Sequence, residues 1–161
     1  MQTNVQHQKQ AGFSLIELLI VVTIIGVIAS IAIPNLLASR RAANEGSAQQ
    51  SMRTISSCEV AYKFSYGNGS YADLSTLGAK VMTDSVLSSG TKSGYTFVAT
   101  PVSGASEQFW AYAFPVTTTG IGSTGSRRFA LTEDGVMRGD TDLTAPPANE
   151  AAVQAMPAMG N

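Results

Sequence analysis

Histidine and cysteine are almost missing from this chain of 161 residues: His7 is the single histidine and Cys58 the single cysteine. One cysteine cannot close an intramolecular disulfide, so no disulfide framework supports the fold. Cys58 falls in a helical stretch and reads as a small packing residue, with an intermolecular bridge as the weaker alternative. His7 lies in a polar, Gln-rich opening stretch, which leaves the rest of the chain no imidazole for a nucleophile–base pair. Zinc-type Cys/His spacing, a P-loop and a dinucleotide fingerprint are all absent from the sequence. Charge is scarce too. Charged residues make up 13% of the chain, the net charge is -1 and the pI is near 5.7, so there is no general attraction to nucleic acid or anionic lipid. Enzymatic function is therefore not expected, and neither a cofactor nor a metal is assigned.

The charges that exist are unevenly spread. Residues 12–34 read GFSLIELLIVVTIIGVIASIAIP, and Glu17 is the only charged side chain between Phe13 and Ser39. About 20 apolar residues span the hydrocarbon of a bilayer. A carboxylate placed there costs at least a few kcal/mol, so it marks function and calls for a partner. A secretory signal peptide would need a shorter core and a basic start, and a glutamate at the beginning of that core is out of place. A plain signal anchor fits the length and gives Glu17 no role. A cut after Gly12 accounts for more: the new α-amino group would sit on Phe13, one helical turn before Glu17. The amine of a neighbouring copy could then neutralise the carboxylate, making Glu17 a register pin for self-assembly. Loop charge alone favours the opposite topology, since Lys9 precedes the span and Arg40, Arg41 and Arg53 follow it. A long following domain nonetheless translocates largely regardless of charge.

Gly12-Phe13-Ser14-Leu15-Ile16-Glu17, with Gly26 inside the apolar helix and Pro34 at its end, resembles the N-terminus of type IV prepilins. The resemblance is specific over roughly residues 9–66. It implies cleavage between Gly12 and Phe13 by a membrane prepilin peptidase, N-methylation of Phe13, and assembly through Phe13 and Glu17. Gly26 and Pro34 become candidate kinks. Larger pilins usually close a C-terminal loop with a disulfide, which this chain cannot form. The implied partners are further copies of the chain, the peptidase, the inner-membrane assembly machinery, and lipid before assembly. Nucleic acid is disfavoured. The implied location is the inner membrane, then an extracellular filament or a periplasmic pseudopilus.

The remainder reads as an α+β chain, a long N-terminal helix packed against a small antiparallel sheet. Residues 1–12 form a leader, 13–66 the helix (13–33 membrane or filament core), 67–144 a globular head and 145–161 a flexible tail. At 1.5 Å per residue a helix over 13–66 is roughly 80 Å long, more than so small a head can cover. Met52, Ile55, Tyr62 and Tyr66 share a helical face, into which Glu59 also falls. Gly67-Asn68-Gly69-Ser70 ends the helix; Asn68 also heads a glycosylation sequon, for which the turn is explanation enough. Short helical turns are expected near Leu74–Leu77 and Asp84–Leu87. Strands are expected over Tyr95–Val102, Phe109–Val116, Phe129–Thr132 and Val136–Arg138, the last two joined by a Glu133-Asp134-Gly135 hairpin turn. Trp110, Tyr112 and Phe114 alternate along one strand, and their face is expected to lie on the helix as core.

Acidic Glu133, Asp134, Asp140 and Asp142 offer oxygens for calcium but follow no EF-hand spacing. Arg40-Arg41 and Arg127-Arg128 are the candidate phosphate contacts, without a broad basic stripe around them. Three functions follow. The first is a structural subunit of a type IV pilus, relevant to adhesion or twitching motility. The second is a pseudopilin of type II secretion. The third is a minor pilin or membrane-anchored binding protein for DNA uptake or adhesion.

Overall fold

The computed structural model describes residues 12–102, 104 and 107–160. They form the expected α+β arrangement. A long helix α1 (Leu15–Ser65) is followed by α2 (Leu74–Lys80) and α3 (Ser85–Ser88), then by strands β1 (Thr91–Lys92), β2 (Tyr95–Pro101), β3 (Phe109–Pro115), β4 (Arg128–Thr132) and β5 (Arg138–Asp140), and by α4 (Glu150–Gln154). The chain divides into two compact units, residues 1–36 and 37–161. Apart from Gly12, the leader expected over 1–12 lies outside the described residues, with His7 and Lys9.

In the first unit the helix buries none of its described side chains. From Leu15 to Leu36 only Ala29 is even partly shielded. The polar side chains of the run are consumed by their own helix: Thr23, Ser30 and Asn35 donate to the carbonyls of Leu19, Val27 and Ile31 at 2.8, 2.7 and 3.1 Å. Helical structure continues through Pro34, which has no N–H to give.

In the second unit α1 turns amphipathic. Ala48, Ser51, Met52, Ile55 and Glu59 are buried, at the i, i+3, i+4, i+7 and i+11 positions that share one helical face. Tyr62 is half-buried and stacks at 6.2 Å on Tyr66, which is exposed. The helix then stops where positive φ is available: the N–H groups of Gly67 and Gly69 return to the carbonyls of Tyr62 and Lys63, with Asn68 at φ 47° and Gly69 at φ 90°. Asp73 and Asp84 cap α2 and α3, each accepting backbone N–H groups. Those caps set Leu74, Leu77 and Leu87 into the core.

The sheet is a meander in the order β1-β2-β3-β4-β5, every pair antiparallel. Its inner face reverses the expectation for β3. Phe109, Ala111, Ala113 and Pro115 point into the core with Met52 and Ile55, while Trp110, Tyr112 and Phe114 stand half-exposed on the other side. The reason is volume. In the register Ala113 lies between Phe97 and Phe129, and Ala111 between Ala99 and Leu131. The alanines leave the space that these rings and the helical side chains fill. An inward Trp110 row would overpack the layer.

The aromatic outer face is covered instead by the segment expected to be a flexible tail. Residues 149–159 carry α4, capped by Asn149, whose side chain accepts from the Ala152 N–H at 2.9 Å. Val153 and Met156 bury themselves with Ala130 against Trp110 and Tyr112. Two backbone bonds fasten the segment, Gly139 N–H to Pro157 at 3.1 Å and Met159 N–H to Met137 at 2.8 Å. Compositional bias towards alanine and proline hid two apolar anchors. The hairpin differs as well: β5 begins at Arg138, because Asp134 turns back to accept from Val136 N–H and from the Arg138 guanidinium, which delays pairing.

Candidate processing and assembly site

Residues 12–14 are non-helical and fully exposed, and α1 opens immediately after them. A Cβ added at Gly12 would meet nothing within 4 Å. The described residues therefore place no demand on a glycine there. Phe13 is 84% exposed. The Glu17 carboxylate turns back along the helix and accepts the Ser14 backbone N–H at 2.9 Å, while Leu18 N–H reaches the Ser14 carbonyl at 3.3 Å. Ser14-x-x-Glu17 is half of a capping box, and an acid in the first turn also complements the helix dipole. Sequence reasoning missed this second role, although the Ser-x-x-Glu spacing signals it. The bond gives the carboxylate one local donor, and among the described residues its other oxygen has none. Of the sequence-proposed site residues, Gly12, Phe13 and Glu17 are thus brought to one exposed helix start. Gly26 and Pro34 lie on the exposed apolar surface farther along, and a Cβ at Gly26 would also meet nothing within 4 Å.

A second carboxylate on α1 has the opposite surroundings. Glu59 is fully buried and accepts the Ala72 N–H at 3.1 Å through Oε2, while Oε1 has no partner among the described residues. Burial drives its pKa up to about 7; the Ala72 N–H opposes the shift and Asp73 adds to it. The neighbouring Cys58 thiol is a free, half-buried group pushed up by burial and by Glu59. Three of the four acids considered for calcium are engaged with arginine: Arg128 Nε holds Asp140 at 2.7 Å and its Nη2 reaches Asp142 at 3.3 Å, while Arg138 holds Asp134 at 2.6 Å; Glu133 Oε2 has no partner among the described residues. Arg138, followed by the Val136 N–H and the Thr132 hydroxyl, keeps the Asp134 carboxyl down at about 2. Arg128 is correspondingly tied up and is no free phosphate contact.

Residues 7–33 match the prokaryotic N-terminal methylation motif. Over 34 residues the chain is 62% identical to the type IV wide pilus major component PilA4 of Thermus thermophilus, covering 21% of this chain and 26% of that protein. It is 31% identical over 58 residues to the type II secretion system core protein G of Aeromonas hydrophila, 36% of this chain and 41% of that one. Core protein G of Escherichia coli gives 36% identity over 55 residues, 34% of this chain and 38% of that one. The chain thus spans between a quarter and two-fifths of the relatives it matches. No solved structure gives a significant match.

Proposed function

From the premise that this chain has a type IV pilin-like N-terminus, we propose that it is a structural subunit of a type IV pilus. It inserts in the inner membrane by residues 13–33, is cut between Gly12 and Phe13, is N-methylated on Phe13, and joins a filament through α1. The carrying observation is the wholly exposed apolar start of α1 with one acid in its first turn. A helix uncovered by its own chain needs lipid or neighbouring helices. In either setting Glu17 gains from a cation, and the Phe13 amine of an adjacent copy is the one the cut supplies. At low effective dielectric such a pair is strong, but much of it offsets desolvation, so its effect falls on register more than on gross stability. Gly26 and Pro34 supply the positions at which the packed helix bends.

N-terminal sequencing and intact mass of the exported protein test the cut; a chain starting near Ile33, or one retaining Met1, overturns it. Gly12→Val should keep the leader attached. Glu17→Ala and Glu17→Gln should insert and be cut normally while filaments fail to form, and wild-type filaments from both variants would remove Glu17 from assembly. A type II secretion pseudopilin is the second reading, favoured by the longer matches to core protein G over 55–58 residues. Loss of surface filaments without loss of protein secretion, in cells lacking the chain, separates the pilus from the pseudopilus.

A further inference from the structure

The loop between β3 and β4 carries the exposed apolar side chain Ile121, 78% accessible and flanked by Gly120 and Gly122. The loop does not hang free. Thr117 and Thr124 exchange hydrogen bonds across its neck, the Thr124 N–H to the Thr117 carbonyl at 2.9 Å and the Thr117 N–H to Thr124 Oγ1 at 3.2 Å. Asn44 of α1 donates to the Thr124 carbonyl at 2.9 Å, and Glu45 accepts from the Ser126 N–H and hydroxyl at 2.8 and 2.7 Å. This bracing holds the tip against the first turns of α1 that belong to the second unit. There Leu37, Arg40 and Asn44 line a small cavity of about 100 Å³ together with Ile121 and Thr124.

Ile121 contributes nothing to the core, and the bracing keeps it outward. Its setting identifies what it meets. Leu37 follows Leu36 by one peptide bond, and the apolar run ends there. Arg40 and Arg41 come within the next turn, roughly 5 Å of helical rise. Among the described residues neither arginine is in an ion pair, whereas Arg128 and Arg138 hold Asp134, Asp140 and Asp142. An isoleucine tip beside the unpaired Arg40 guanidinium, with half-buried Arg41 next along the helix, at the end of a membrane-length helix, has the composition of an interfacial anchor: apolar atoms enter the acyl boundary and cations meet lipid phosphates. A second copy is the poorer match, since Asp134, Asp140 and Asp142 are already held by arginines of their own chain.

We propose that Ile121, with Arg40 and Arg41, forms a lipid-surface contact that seats the head on an anionic bilayer before assembly. The proposal rests on membrane insertion of the apolar segment, and its test separates the two. The full chain carrying Cys58→Ser and Ile121→Cys, labelled with an environment-sensitive fluorophore, is reconstituted into phosphatidylethanolamine–phosphatidylglycerol vesicles with or without a shallow nitroxide-labelled lipid. The label at 121 should be quenched about two-fold or more, and one at Glu107→Cys should not. A label at Ile28→Cys reports insertion: no quenching there by a deep nitroxide overturns the membrane reading and this proposal together. Quenching at 28 but none at 121 overturns this proposal alone. A signal at 121 that follows protein density and ignores the nitroxide overturns it in favour of contact between copies. Arg40→Gln with Arg41→Gln should abolish the dependence on phosphatidylglycerol; quenching indifferent to both the lipid charge and the arginines overturns the role given to those cations.

Discussion

Glu17 and Glu59 sit on the same helix, and each accepts one backbone N–H, yet their surroundings are opposite. Glu17 takes its donor from three residues back in its own first turn and otherwise faces outward. Glu59 takes its donor from thirteen residues ahead, in the segment leading to α2, and is fully enclosed by the head. The helix around Glu17 buries no side chain in its own chain; the helix around Glu59 supplies Ala48, Met52 and Ile55 to the core. Glu59 is thus conditioned by the fold of its own chain, and Glu17 is not. Substitutions near Glu59 are expected to change the stability of the head, and those near Glu17, on the function proposed above, to change assembly.

The largest expected difference uses one residue type on both halves of the helix. Ile55→Ala should lower the unfolding free energy by about 3 kcal/mol, within the range for a buried isoleucine, while Ile24→Ala should leave the urea midpoint of the head unchanged. Trp110 fluorescence follows both, and equal shifts would erase the distinction between the halves.

The pH dependence is next in size. Folding raises the Glu59 pKa from 4.5 to about 7, so the native state binds its proton more tightly than the unfolded chain does. Its contribution is fully present below about pH 4.5 and is lost as pH rises through about 7, at most roughly 3 kcal/mol at about 1.4 kcal/mol per tenfold. Asp134 acts in the opposite sense: held at about 2, it stabilises above the ordinary carboxylate range and loses that contribution as pH falls through about 2. Urea titrations of wild type should therefore decline between pH 5 and 8 (roughly the window set by Glu59). Glu59→Gln should flatten that decline, whereas Glu17→Gln should leave it intact. A decline that survives Glu59→Gln assigns it to another group.

Smallest is the contrast between the two sheet faces. Trp110→Ala removes a half-buried ring and should cost about 2 kcal/mol, less than the roughly 3–5 kcal/mol of a fully buried aromatic such as Phe109. Equal costs would mean that the α4 segment seals the outer face as completely as α1 seals the inner one.

The long helix, its end at Gly67–Ser70, the two aspartate-led turns and three of the strands were legible because each rests on local chemistry: periodicity, positive-φ residues, caps and β-formers. The apolar run with Glu17 was legible for the same reason. Alternation along β3 was also visible, but its polarity was not. Which face turns inward depends on Phe97 and Phe129 in the adjoining strands, and a single segment does not encode its neighbours. The packed segment over 149–159 was hidden because Val153 and Met156 are too few to form a periodic pattern, and their partner face had been assigned elsewhere. Pairing of the acids with Arg128 and Arg138 depends on the β4–β5 register, which spacing alone leaves open.

The docked α4 segment also sets a schedule. Trp110 and Tyr112 leave the ribosome about forty residues ahead of Val153 and Met156, the side chains that cover them. Until translation passes Met159, the outer side of β3 and β4 lacks this cover. A nascent, stalled or clipped chain therefore displays an aromatic strip of the kind chaperones and quality-control proteases act on. Synthesis past this segment becomes a condition for leaving their attention, so a short segment that follows the sheet can vet the folding of each chain.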